Sequence, residues 1–383
     1  MPPTTHPAPA PPAATTSRLP RTDALEVAVD LALLAPSVHN TQPWRLVLHD
    51  DRLDLHADRT RQLPTLDPVG RALALSVGAA LFNARVALAA AGWSVVTERL
   101  PDARDPDLMA VVRPVDGASD PELAALAPAV PQRRTNRRAF SDEELPDDAL
   151  RALADAVAAE DAELVVVRQE HHRQLVARLT QQADAVQNAD AAYRAELRAW
   201  TTRSAASRDG VPTSAVPHVD GRQRDDLPLR DFDSAGAGGL PPETRSTMRQ
   251  TLVLLATARD DQAAWLRAGE ALERVLLELT RRGWAASPLT QAIEVPLTRT
   301  QLRSALTWTS HPQALLRIGR AEATPAPPHR LRDDVVENST RPPETEPRPL
   351  PTPPVGPQHE TRAADGRARR RPVSDGRGGT TWV

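Results

Sequence analysis

The chain has 383 residues, 40 % of them hydrophobic, with 47 basic and 50 acidic side chains and a formal charge of −3. That is enough for one large or two ordinary domains, and it gives no basic footprint for nucleic acid. There is no cysteine, which removes disulfides, thiolate metal sites and cysteine nucleophiles. Every basic residue is arginine, so a P-loop lysine and a lysine Schiff base are excluded as well. Any bound anion must then be held by arginine, histidine, hydroxyls or backbone donors.

Residues 1–21 are rich in Pro, Ala and Thr without apolar period and read as disordered. They lack the basic and apolar regions of a secretory signal, and no apolar run approaches the roughly 18 residues of a membrane span, so a cytoplasmic chain without membrane contact is expected. Thr22 or Asp23 can cap a first helix that runs to Leu34. The segment Ala35-Pro36-Ser37-Val38-His39-Asn40-Thr41-Gln42-Pro43-Trp44-Arg45 stops it: proline ends the helix, and Ser, Asn and Thr supply turn chemistry. Small polar groups and free backbone donors thus gather where helix gives way to strand. That is either a capped turn or a ligand site.

Arg45–His49 and Arg52–Ala57 alternate around Asp50-Asp51 and read as a hairpin. A long helical pattern covers Pro68–Ala91, followed by strand-like Trp93–Glu98 and Leu108–Val115. Ser141-Asp142-Glu143-Glu144 has the form of a capping box opening another helix. Leu164–Val167 is a strand candidate, Glu170–Ala205 is helical, and 208–242 is a Gly-, Pro- and Asp-rich insertion too long for an ordinary connector, of the kind that forms lids. Thr251–Ala256 reads as a strand, Asp260–Arg282 as a long helix and Gln313–Ile318 as the last strand. Residues 336–383 read as a disordered tail.

The two long helices align without gaps. Gly78 falls on Gly269, and both helices end in Gly-Trp, at Gly92-Trp93 and Gly283-Trp284. This register points to duplication, with halves at 22–130 and 131–335.

Four stretches carry chemistry. The first is the turn at Pro36–Trp44. The second is Arg133-Arg134-Thr135-Asn136-Arg137-Arg138-Ala139-Phe140, four guanidinium groups in six residues, suited to a phosphate or equally to a solvated basic loop. The third is Ser287-Pro288-Leu289, which alone is an ordinary proline turn. The fourth is Leu315–Arg320 followed by His329-Arg330. His171-His172 sit about 100° apart on a helix and make poor joint metal ligands; no HExxH, GxGxxG or GxSxG accompanies them.

The PSxxNxQPW run resembles the flavin-contacting turn of the nitroreductase family, and its form here is most similar to the Acg branch. Arg134, Asn136 and Arg138, closed by Phe140, resemble the R-x-S-x-R-x-F element that grips the flavin phosphate and pyrimidine edge. Asn136 stands where serine is usual. Ser287, Pro288 and Leu289 resemble the segment whose backbone faces the flavin ring. His329-Arg330 stands where two basic residues complete the phosphate site, with Arg330 the better partner.

The resemblance implies an α+β nitroreductase-like fold built from two tandem repeats as a single-chain, monomeric pseudo-dimer. It implies one complete FMN site formed by Pro36, Ser37, Val38, Asn40, Gln42, Arg134, Asn136, Arg138, Ser287, Pro288, Leu289 and Arg330, with no metal and no catalytic side chain. Function follows as NAD(P)H-dependent reduction of a small-molecule acceptor, nitroaromatic or quinone-like, by hydride transfer through FMN. The alternative is a non-catalytic FMN-binding protein whose 208–242 segment covers the flavin.

Overall fold

The computed structural model describes residues 18–137, 140–201, 207–212 and 250–339, and the backbone of 372–374 and 380–382. Arg138, all but the start of the 208–242 insertion, residues 1–17 and most of the tail lie outside the described residues.

Helix α1 (Arg21–Ala32) buries Ala24, Leu25, Ala28, Val29 and Ala32, an i, i+4 stripe. It begins two to three residues earlier than a Thr22 or Asp23 cap would place it, with Pro20 at the cap position. The carbonyl of Pro20 accepts from Ala24 N at 2.9 Å, and Asp23 falls inside the first turn, where its charge meets the helix N-terminus. Strands β1 (Trp44–Leu48) and β2 (Leu53–Ala57) form the expected antiparallel hairpin, with Leu46 opposite Leu55 and His49 N donating to Arg52 O.

Helix α2 (Arg71–Ala90) follows. It corrects one expectation: at a mean hydropathy of 1.7 it is long and apolar enough to cross a membrane by composition. Within the fold, however, 89 % of its apolar window is buried, so its all-round apolar surface belongs to a core helix. Strands β3 (Ser94–Arg99) and β4 (Leu108–Val115) extend the hairpin's sheet, and α3 (Pro121–Ala124) is capped by Asp120.

Helix α4 (Asp147–Ala158) starts six residues after Ser141, so the capping box does not open it. Pro146 holds the preceding residue extended, and Leu145 N donates instead to Thr251 Oγ1 at 2.8 Å. Strand β5 (Glu163–Val166), helix α5 (Glu170–Ala189) and helix α6 (Ala191–Thr201) follow, the helices parted at extended Asp190. The remaining elements are β6 (Thr251–Thr257), α7 (Gln262–Arg281), β7 (Ala285–Pro288), α8 (Gln291–Glu294), α9 (Pro296–Leu302), β8 (His311–Gly319) and β9 (Val336–Asn338). A separate unit from Glu344 onward contains the antiparallel pair β10 (Pro372–Ser374) and β11 (Thr380–Trp382).

Two sheets result, in the orders β3-β4-β2-β1-β9 and β5-β6-β8-β7. Strand β9 pairs in parallel with β1, with Leu46 opposite Val336, so the ordered chain runs past the expected 335 boundary. Each sheet has its own apolar core, and α2 and α7 join the two.

Their crossing is made by the two aligned glycines. A Cβ on Gly78 would lie 2.1 Å from Leu266 O and 3.0 Å from the Gly269 Cα. A Cβ on Gly269 would lie 2.1 Å from Leu75 O and 2.9 Å from the Gly78 Cα. The obstructing atoms are helix backbone, which cannot turn aside as a side chain can. Replacing Gly78 with Ala should therefore push the helices apart despite alanine's better helix propensity, costing about 3 kcal/mol of stability. Urea unfolding monitored by tryptophan fluorescence checks this, and a gain in stability would disprove the close contact.

Candidate functional site

Between α1 and β1 the chain makes a turn whose conformation is forced. His39, Asn40 and Gln42 take φ values of 46°, 53° and 48°, left-handed backbone that non-glycine residues adopt at a cost. Local bonds hold it in place: Ser37 Oγ accepts from Gln42 N at 2.9 Å, Val38 N donates to Ser76 Oγ at 3.1 Å, and Ser76 is tied to Ala72 O on α2. Trp44, fully buried, anchors the exit.

The two side-chain amides of the turn then act as clamps. Asn40 Nδ2 donates to Pro328 O at 2.9 Å and to Gly210 O at 3.1 Å, while Gly210 N donates back to Asn40 O. Gln42 Nε2 donates to Arg208 O at 2.8 Å, and Gln42 Oε1 accepts from Arg330 N at 2.8 Å. Arg61 strengthens the same contact by pairing with Asp209 and donating to Thr41 O. The start of the 208–242 insertion and the 324–330 segment are thus both held against the turn.

A third strand-like segment closes the site. Thr135 bridges Ala286 of β7, and Asn136 N donates to Ala286 O at 3.0 Å. Extended backbone sends alternate side chains to opposite faces. Arg133, Thr135 and Arg137 consequently line a cleft with Ser37, Asn40 and His329. Arg134 and Asn136, the expected contacts, do not line it. Arg134 Nη1 donates to the carbonyls of Pro131 and Arg133, and Asn136 Nδ2 to Glu322 O at 2.6 Å, so both brace the loop.

The other expected residues divide in the same way. Pro36 lines the cleft with Ser37 and Asn40, while Val38 packs with Leu63, Leu66 and Val211, and Gln42 serves as a clamp. Ser287 and Pro288 end β7, and Leu289 N donates to Leu315 O; their place is in a sheet rather than a turn, and they do not line the cleft. Arg330 points away from it: Nη1 donates to Gln42 O and Trp44 O at 3.2 and 3.4 Å, and Nη2 to Asp334 O at 2.6 Å. Its neighbour His329 faces the cleft instead. Burial, followed by the charges of Arg133 and Arg134, lowers its pKa to about 4 against an opposing pull from the Leu33 backbone, so it is neutral at neutral pH.

The cleft measures about 80 Å³, and among the described residues no carboxylate lines it. It can hold an anion the size of a phosphate on two guanidinium groups, hydroxyls and a neutral imidazole. A drug-sized ligand needs roughly 300 Å³ or more. Gly210, Val211 and Pro212 form one wall, so where they lie decides whether a larger group enters. Sequence reasoning found the arginine cluster but placed it one residue out of phase, and the 324–327 wall carried no recognisable signal. Among the described residues no cluster of His, Asp and Glu could hold a metal ion, and His171 and His172 stack on each other at 4.1 Å.

No protein-family model matches the chain. Curated relatives do. The chain is 35 % identical over 331 residues to Rv3131 of Mycobacterium tuberculosis strain H37Rv, provisionally named an NAD(P)H nitroreductase; the match covers 85 % of this chain and 94 % of the relative. It is 34 % identical over 321 residues to Acg of the same strain, which bears the same provisional name, over 82 % and 95 % of the two chains. Among solved structures, a nitroreductase with bound FMN from Desulfitobacterium hafniense matches 55 % of this chain and 95 % of its own at 15 % identity and a TM-score of 0.36.

Arg330→Ala should act on stability through its carbonyl partners. Losing a charged donor to three backbone acceptors should cost about 2 kcal/mol. Chemical denaturation measures this, and an unchanged midpoint would show that Arg330 is not holding Gln42 and Trp44 in place.

Proposed function

The chain belongs to the nitroreductase family, and from that premise we propose that it is an FMN-dependent oxidoreductase of the cytoplasm, passing a hydride from NAD(P)H to a nitroaromatic or quinone-like acceptor. The observation that carries the reading is the composition of the cleft. Arg133 and Arg137, the hydroxyls of Ser37 and Thr135 and the neutral imidazole of His329 converge, with no carboxylate among the described lining residues. That donor set fits the phosphate of FMN.

When bound, FMN supplies the redox chemistry and the protein supplies binding, orientation and electrostatics. Arg133 and Arg137 bind the phosphate, with Thr135 and Ser37 adding neutral donors. Arg134 and Asn136 hold the 133–137 segment in register through their backbone acceptors. The strained turn presents Ser37 and Asn40 toward the cleft without freedom to relax, because Ser76, Gln42 and Pro328 each fix part of it. No side-chain general base is required for such a transfer.

We further read the α2–α7 crossing as the internal two-fold of a duplicated chain, active as a monomer. The turn comes from the first half and the arginine segment from the start of the second, and one FMN per chain is expected. Alternatively, the protein holds FMN without useful turnover. That reading is favoured by the clamping of Arg208, Asp209 and Gly210 onto the turn, which keeps the Gly210–Pro212 wall in the cleft.

Two measurements test these readings. Stopped-flow mixing of the FMN-loaded protein with NADPH or NADH should bleach the flavin absorbance at a useful rate; no bleaching would favour the holding protein. Arg137→Ala should weaken FMN at least about tenfold, the loss of one charge-assisted bond, while riboflavin affinity changes little. Equal weakening of both ligands would remove Arg137 from the phosphate site.

A further inference from the structure

Arg133 faces the cleft on one side and a carboxyl on the other. Glu273 lies on the inner face of α7 and is fully buried, with its Oε1 3.4 Å from Arg133 Nε. Neither of its oxygens has a well-aligned hydrogen-bond partner among the described residues, although the Asn83 side-chain amide lies near enough to act on it, and the Arg133 Nε is equally unsatisfied. The remaining hold on Arg133 is a long bond from Nη2 to Leu34 O at 3.4 Å.

The groups around this carboxyl are few. On α2 its neighbour is Asn83, whose Nδ2 donates to Leu31 O at 3.2 Å while its buried Oδ1 has no donor. Arg133 also acts on His329, as does Arg134. The charged residues beside it on α7 are engaged elsewhere: Glu270 with Arg85 and Arg99, and Arg274 with Glu160 and Glu122. Among the described residues, Arg133 is the cation placed to pair with Glu273.

We infer that Glu273 is a positioning residue that controls Arg133 through its own protonation. Protonated, it leaves the guanidinium charge to an anionic phosphate in the cleft; ionised, it competes with that phosphate for the same guanidinium. The inference rests on the proposed FMN reading and goes beyond it to regulation of that site by pH.

The sign follows from linkage. Burial pushes the Glu273 pKa up to about 8, opposed by Arg133 and the Asn83 amide. The carboxyl is therefore mostly neutral at neutral pH and ionises as pH rises through about 8. A bound phosphate favours the neutral form further, so binding above that pH takes up a proton. Phosphate affinity is greatest below the transition and declines above it.

The test measures FMN and riboflavin affinity for the full chain, by flavin fluorescence, on both sides of the transition. Wild-type FMN affinity should fall up to about tenfold per pH unit on the alkaline side. Riboflavin affinity should stay level, since it has no phosphate to compete. Glu273→Gln, which mimics the neutral carboxyl in shape, should remove the alkaline fall and bind FMN more tightly than wild type there.

An FMN profile that is the same in wild type and E273Q, or a fall shared with riboflavin, would overturn the inference while leaving the cofactor reading intact. Failure of the wild-type protein to bind FMN at any pH would overturn both. Calorimetric titration of wild type with FMN, in two buffers of different ionisation enthalpy, decides the matter without the variant. Net proton uptake on the alkaline side is expected, and none would refute the linkage.

Discussion

Two helices meet backbone to backbone at a pair of glycines, and most of the architecture depends on that contact. Gly78 and Gly269 let the backbones of α2 and α7 meet where any side chain would strike a carbonyl. Each helix packs on its own sheet, so the crossing sets the distance between the two sheets and hence the position of the Pro36–Trp44 turn relative to the arginine segment at 133–137. A site assembled from Ser37 and Asn40 on one side and Arg133 and Arg137 on the other is sensitive to that distance. An ångström of separation at the crossing would be felt at the cleft.

A second connection runs alongside the first and has different chemistry. Glu270 is fully buried and receives Arg85 and Arg99, while Glu160 receives Arg85 and Arg274. Desolvating so many charges is costly, and such networks seldom add much net stability over an apolar core. Their effect is geometric: Arg85 lies on α2, Arg99 on β3, Glu270 on α7 and Glu160 just after α4, so the network ties the rotation of α2 against α7. Removing Arg85 alone would leave two buried carboxylates short of a partner.

Much of this was legible in the sequence because it depends on periodicity and on residue types with few alternatives. The hairpin around Asp50-Asp51, the long helices and the apolar strand at Thr251–Thr257 follow from spacing, and the glycine pair from alignment of the chain with itself. The Pro36–Trp44 turn was readable because Pro, Ser and Asn have narrow conformational uses. What was not legible depended on tertiary partners. Pro146 overrode the capping box at Ser141, and the bridge from Thr135 to Ala286 set which arginines face inward. Arg330 outranks His329 as a phosphate partner in isolation. Three backbone carbonyls nevertheless claim it, a competition that no local pattern records.

The parallel pairing of β9 with β1 has a consequence for how the chain is made. Val336–Asn338 leave the ribosome long after Leu46–Leu48, at common translation rates on the order of tens of seconds later. Through that interval β1 is an open sheet edge, and the clamps of Asn40 and Gln42 lack the Pro328 and Arg330 partners that complete them. The nascent first half therefore presents an unpaired edge during synthesis, the kind of surface that chaperones recognise and that recruits stray strands. Completion of the cleft coincides with the disappearance of that edge, so a chain truncated before β9 would lose the finished site and its protection from aggregation together.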